Sequence, residues 1–232
     1  MVPVPAENRA ALPLAPVCRS LTLAEQAYAN LRTSLRQGVL LPGERLSTRK
    51  VAATLTVSLT PAREALNRLV AERLLEQRLD RTIVVPVLTR GRYDEICAVR
   101  LELEPLAARL ACRTMGPAQL ARLQRLYAAH EAAWLRRDTK GALGCNEDFH
   151  FTIYGAAQNR TLLLILEALW LQIGPSLNLL FPHSYEAGWK GGEHHRSMMQ
   201  AIRAGDAAAL VKALRRDLSD GRRLLDSVLP ER

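Results

Sequence analysis

The chain has 232 residues, enough for one large domain or two ordinary ones, and its 48% hydrophobic content is ample for a buried core. Aromatic residues make up only 5%, while Leu, Ala and Arg dominate, which favours helices over sheet. The net charge of +9 favours polyanionic partners, because bound phosphate releases counterions.

No unbroken apolar run reaching the ~18–20 residues needed to cross a bilayer is expected, and no membrane contact. Cys18, Cys97, Cys112 and Cys145 are widely spaced and form no CxxC pair, so neither a zinc knuckle nor a redox motif is indicated. A reduced, cytoplasmic location is the simplest expectation.

Residues 1–19 are proline-rich and lack the basic front and apolar stretch of a secretory signal, which reads as a flexible tail. In residues 21–38, Ala24, Tyr28, Leu31 and Leu35 form a stripe at helical spacing, and Gly38 can end that helix in a left-handed conformation. Leu40–Gly43 reads as a turn. Between Leu46 and Leu69 lie two short amphipathic segments. Leu46, Val51 and Leu55 mark the inner side of the first; Ala65, Leu66, Leu69 and Val70 mark that of the second. Ser47 can cap the first, and Thr60-Pro61 signals the start of the second. The outer side carries Arg49, Lys50, Thr60, Arg63 and Arg68, which suits a helix-turn-helix whose second helix enters the major groove. Leu74–Gln77 and Thr82–Pro86 read as two short strands, joined by a wing at Leu79-Asp80-Arg81. The basic excess is denser here: residues 1–88 hold 12 basic and 7 acidic side chains, the rest 20 and 16.

From Gly91 the periodicity is helical almost to the end. Helices are expected near 92–114, 117–137, 139–157, 160–180, 191–204 and 206–228, with the longest loop, expected to be mobile, at His183–Glu193. The fold class is therefore mainly α, a winged helix-turn-helix at 20–88 followed by an all-helical bundle at 91–229.

The stretch GVLLPGERLSTRKVAATLTVSLTPAREALNRLVAERLL resembles the winged helix-turn-helix of the GntR family of bacterial transcription regulators. Matching points are Gly38, Pro42-Gly43, Leu46-Ser47, Arg49, Ala52, Ser58, Thr60-Pro61, Arg63-Glu64-Ala65-Leu66 and Leu69. Three positions depart from it: Leu59 stands where arginine is usual, and Arg73 and Thr82 where glycine is usual. The second half resembles the FCD ligand-binding domain of the FadR branch, through VRLELEPLAARLA, NEDFHFTIYGAAQN, EHHRSMMQAIRAGD and the final helix.

The resemblance implies a DNA-binding regulator, not an enzyme, acting as a homodimer on a palindromic double-stranded operator. Arg49, Lys50, Ser58, Thr60, Arg63, Arg68 and Arg81 become its DNA-facing residues, with Arg63 placed for a guanine edge. It also implies a divalent metal. Asn146 and His150, four apart on one helix face, would share it with His195 and with Asp217, which stands where histidine is usual. Zinc is the first expectation; nickel, manganese or iron suit the same donors. His194 competes with His195 for the third position, and the plain alternative is that these are ordinary buried or surface histidines. His130 and His183 have no partner at useful spacing and read as surface residues.

Arg100 is expected to face an effector, a small organic or sugar acid, its alternative being an intrahelical pair with Glu104. Phe149, Trp134 and Trp170 read as core. The rival function is a metal-dependent hydrolase or lyase using His150, His195 and Asp217 on a small carboxylate. No nucleophile elbow, phosphate loop or HExxH supports it.

Overall fold

The computed structural model describes residues 21–187 and 191–231, and side chains within 21–180 and 192–231. The expected tail, Cys18 and the His183 side chain lie outside the described residues.

Helix α1 (Leu23–Arg36) starts with a capping box: the Glu25 N–H donates to Thr22 Oγ1 at 3.2 Å, and the Thr22 N–H donates back to Glu25 Oε2 at 2.7 Å. Its inner face holds Ala27, Tyr28, Leu31 and Leu35, so Ala27 replaces the expected Ala24. Helix α2 (Thr48–Leu55) is capped by Ser47, whose Oγ accepts the Lys50 N–H at 3.1 Å. Helix α3 (Leu59–Ala71) begins before the Thr60-Pro61 signal, with Ser58 at the cap. Pro61 still sits in the first turn, where a missing N–H costs nothing. Val51 and Ala52 face Ala62, Ala65, Leu66 and Leu69, all buried.

The end of α3 explains one departure from the family pattern. Arg73 is left-handed, with φ 58°. Its N–H donates to the Val70 carbonyl at 2.9 Å and the Leu74 N–H to the Leu69 carbonyl at 2.9 Å. This is a Schellman motif with arginine in the glycine position. A Cβ there is strained by ~1–2 kcal/mol, partly offset by the greater unfolded-state freedom of glycine. Arg73→Gly should therefore stabilise the protein by a few tenths to about 1 kcal/mol in chemical denaturation. At the wing the left-handed residue is Arg81, φ 62°, rather than Thr82, whose N–H donates to Asp80 Oδ1 at 2.9 Å. Threonine at 82 thus meets no conformational penalty.

The sheet has three short antiparallel strands in the order β1-β3-β2: β1 (Arg45–Leu46), β2 (Glu76–Gln77) and β3 (Ile83–Val84). Strand β1 was not expected. Two residues carry no period, and only the pairing of Leu46 with Ile83 defines them.

The bundle comprises α4 (Arg90–Thr114), α5 (Pro117–Leu135), α6 (Thr139–Ala156), α7 (Arg160–Ala187), α8 (Gly191–Ala204) and α9 (Ala207–Asp226). Its core includes Leu123, Phe149, Ile153, Leu166, Trp170, Met198, Leu210 and Leu214. The long loop expected at His183–Glu193 is corrected: α7 runs through Pro182 to Ala187 and α8 starts at Gly191, with only 188–190 outside the described residues. Proline removes one helical hydrogen bond, and flanking turns on both sides can hold the helix through it. The expectation about membrane length also needs amendment. Residues Arg160–Leu180 of α7 reach a mean hydropathy of 1.5 and are long and apolar enough to span a bilayer. Here that segment is the bundle's central strut, packed against α1, α4, α6 and α9.

The N-terminal head is seated on this strut. Leu171 of α7 is buried in the head's own hydrophobic cluster. Gly38, left-handed at φ 63°, and Gly174 let the two backbones meet: a Cβ on Gly174 would lie 2.2 Å from the Leu35 carbonyl oxygen and 2.8 Å from that of Arg36. Beside them Arg36 Nε reaches Glu147 Oε1 at 2.6 Å, tying the end of α1 to α6. Burial raises the pKa of Glu147 while Arg36 draws it back.

Candidate functional site

Two surfaces carry chemistry. The first is the outer side of α2 and α3. Arg49, Lys50, Ser58, Thr60 and Arg63 are all exposed there, and Arg81 is exposed at the wing tip. Among the described residues, Arg49 and Arg63 form no ion pair. Ser58 makes no side-chain cap bond, leaving its hydroxyl for another partner. Lys50 lies 3.6 Å from Glu44. Arg68 is engaged instead: its Nε donates to Glu72 at 3.1 Å and its guanidinium lies 3.8 Å from the Tyr28 ring centre. Leu59 is 45% exposed at the start of α3, an apolar side chain in place of a basic one.

The second is buried in the bundle. Asp206 caps α9, its Oδ1 accepting the Ala209 N–H at 2.8 Å, and Gly205 makes the turn at φ 65°. Helices α8 and α9 thereby form an antiparallel hairpin. His195 lies eleven residues before Asp206 and Asp217 eleven after it (206 − 195 and 217 − 206), so the two stand level across the hairpin. Helix α6 brings His150 to the same point. One ligand atom from each of His150, His195 and Asp217 lies within 4.8 Å of the others, and all three residues are buried. His150 Nε2 is 3.3 Å from Asp217 Oδ2. Asn146 is half-buried one turn earlier on α6. His194, the rival of His195, turns outward and meets Asp220 at 2.7 Å.

The donors suit a cation. Both ring nitrogens of His195 are buried without a hydrogen-bond partner, as is Asp217 Oδ1. A buried polar atom left so costs ~1–3 kcal/mol, a cost that coordination removes. Burial holds His195 well below its usual pKa, so it presents neutral imidazole, the form that ligates. Burial would raise the Asp217 pKa, but its histidine neighbours, His150 foremost, keep it below the ordinary carboxylate value. Phe149 stacks on the His195 ring at 4.3 Å between centroids and fixes its plane.

His130 corrects the sequence reading. It is 1% exposed, its ring centre 5.2 Å from that of His195, and burial pushes its pKa down to about 4. No pattern in the chain links positions 130 and 195; only the packing of α5 on α8 joins them.

Arg100 is also buried, with Nε donating to Glu104 at 2.6 Å and its guanidinium 4.9 Å from the Trp170 ring centre. Glu104 accepts two further bonds, from Tyr154 at 2.5 Å and from Trp170 Nε1 at 3.0 Å. Tyr154 in turn lies 3.0 Å from His150 Nδ1. The sequence reading gives Glu104 only a helical pair with Arg100 and gives Tyr154 no role, yet each lies four residues from an expected site residue, Arg100 and His150.

Comparison with known proteins agrees with this architecture. Residues 23–85 match the bacterial regulatory proteins of the gntR family, and residues 95–220 match the FCD domain. The HTH-type transcriptional regulator McbR of Escherichia coli (strain K12) is 34% identical over 188 residues, covering 81% of this chain and 84% of that protein. The solved structure of E. coli McbR/YncC superposes with a TM-score of 0.81 at 30% identity, over 89% of this chain and 98% of that one. The gluconate operon transcriptional repressor of Bacillus subtilis (strain 168) is 26% identical over 199 residues, covering 82% of this chain and 79% of that protein. The chain belongs to the GntR family of bacterial transcription regulators, in the FadR-type branch that joins a winged helix-turn-helix to an FCD domain.

Proposed function

We propose that this regulator's grip on DNA is controlled by a small organic or sugar acid held at a divalent metal inside the bundle. The observation that carries the reading is the convergence of His150, His195 and Asp217, all buried, with both His195 ring nitrogens and Asp217 Oδ1 unpartnered. His150 Nε2, a ring nitrogen of His195 and the Asp217 carboxylate would hold the ion, with Asn146 as a neutral fourth donor. Zinc is the first expectation from two imidazoles and a carboxylate; nickel, manganese or iron suit the same set. Bound there, the ion supplies a Lewis acid for a carboxylate oxygen. Arg100 supplies the opposite hold: Glu104 takes its Nε, and the terminal nitrogens grip the effector's second carboxylate oxygen. The name of the gluconate operon repressor supports a sugar acid as effector and repression as the mode.

Arg49 and Arg63 read the operator, with Lys50, Ser58, Thr60 and Arg81 on phosphates or neighbouring edges, while Arg68 braces α3 against α1. One such head offers a small interface, so the working form is a homodimer on a palindrome, in the cytoplasm. It performs no catalysis.

The test begins with operators selected by the full chain from random duplex DNA. Affinity is then measured at fixed salt, with and without zinc and a series of small acids including gluconate. An effective acid should weaken binding about tenfold, near 1.4 kcal/mol, only when metal is present. An unchanged affinity across the series, or the same response without metal, counts against the reading. On the same DNA, Arg63→Ala should cost ~1–3 kcal/mol and relax base preference, while Lys50→Ala weakens all sequences alike. Equal losses for Arg63→Ala on selected and random DNA would contradict that assignment.

A further inference from the structure

We infer that Tyr154 and Glu104 are positioning residues that fix the His150 ring with its proton on Nδ1, so that Nε2 presents a lone pair to the metal position. The inference deepens the metal reading above and rests on it.

Counting protons leads there. Glu104 is 0% exposed and receives three groups: Arg100 Nε at 2.6 Å and Trp170 Nε1 at 3.0 Å on Oε1, and Tyr154 Oη at 2.5 Å on Oε2. Arginine and tryptophan can only donate, so Oε1 is wholly an acceptor. The buried Arg100 charge requires Glu104 as its counter-charge, which makes Oε2 an acceptor as well. The single phenolic proton of Tyr154 therefore points at Glu104. What Tyr154 offers His150, 3.0 Å away, is an oxygen lone pair. Nδ1 must then carry the hydrogen.

The consequence falls on the other side of the ring. Nε2 is 3.3 Å from Asp217 Oδ2. With the lone pair on Nε2, two electron-rich atoms face each other, and a cation between them, or a proton supplied from solvent, relieves the contact. A tyrosine and a carboxylate thus do for His150 what an outer-shell carboxylate does for many metal-bound histidines. The relay also couples the two halves of the proposed effector site. Arg100, which would hold the acid, and His150, which would hold the metal, share Glu104 through one phenol.

The test uses the full chain with 15N-labelled histidine. In the chelator-stripped protein at pH 8.5, long-range 1H–15N spectra should show a proton on His150 Nδ1, the resonance being assigned by its loss in His150→Gln. A ring that carries a proton on Nε2, alone or together with Nδ1, overturns the inference, and this measurement needs no other variant to fold. In Tyr154→Phe, zinc affinity measured by chelator competition should fall about 10–100-fold. Tyr28→Phe, which removes a phenol's bond to Glu72 in the head and touches none of these groups, should stay within about threefold. If Tyr154→Phe lowers only the unfolding midpoint and leaves zinc affinity unchanged, Tyr154 is merely structural and the inference fails. If the wild type binds no metal, the metal reading fails, while the tautomer spectrum still decides the state of His150.

Discussion

Zinc added to chelator-stripped protein is expected to raise the unfolding midpoint by about 8–16 °C. A ligand at a thousandfold its Kd that binds only the folded state stabilises by ~4.1 kcal/mol, and for a chain of this size each kcal/mol moves the midpoint by ~2–4 °C. The site has the structural grounds for so large a response. Its donors come from α6, α8 and α9, so the ion would tie three helices together at one point. The stripped protein must also bury the unpartnered His195 nitrogens and Asp217 Oδ1, which the loaded protein need not. His195→Ala should abolish the zinc response. The same rise in His195→Ala would place the ion elsewhere.

The second large effect concerns the seat of the head on the bundle. Gly174→Ala should destabilise the protein by about 3 kcal/mol, the upper end for an overpacked site. The added methyl would fall 2.2 Å from the Leu35 carbonyl oxygen and 2.8 Å from that of Arg36. Both are backbone atoms, so no rotamer change makes room; α1 and α7 must move apart. That movement also pulls Arg36 from Glu147, which shares α6 with His150 and lies three residues before it. The variant should keep affinity for its selected DNA while any response to the proposed acid shrinks, because under that proposal the acid would act on the head through this contact. Denaturation curves and DNA binding with and without effector measure both parts. An unchanged midpoint together with a full effector response would show that the contact carries no such load.

Much of the architecture was legible in the chain because the decisive signals were local. Ser47, Pro61 and Gly38 act within a turn of themselves, and the stripes of α1 and α3 follow from helical spacing. What failed was either too short or too distant. Strand β1 is two residues long and exists only through its pairing with β3. The loop expected at 183–193 gives way because a proline takes away one bond, and a long helix already held by packing can continue through it.

The candidate site divides the same way. Asn146, His150, Arg100 and Glu104 fall at four-residue spacing, and the extension to Tyr154 obeys the same rule. The reach of His195 and Asp217 to one point depends on the hairpin at Gly205-Asp206, which can be counted once that turn is known. The burial of His130 against His195 depends on how α5 lies on α8, which no spacing encodes.

The most direct test of the central claim is anomalous diffraction at the zinc edge from crystals of the zinc-loaded chain. The account predicts one strong peak per chain, within about 2.0–2.2 Å of His150 Nε2, a ring nitrogen of His195 and an oxygen of Asp217. Crystals that carry zinc at other positions, with His150, Asp217 and His195 closed on one another by their own hydrogen bonds, would contradict it.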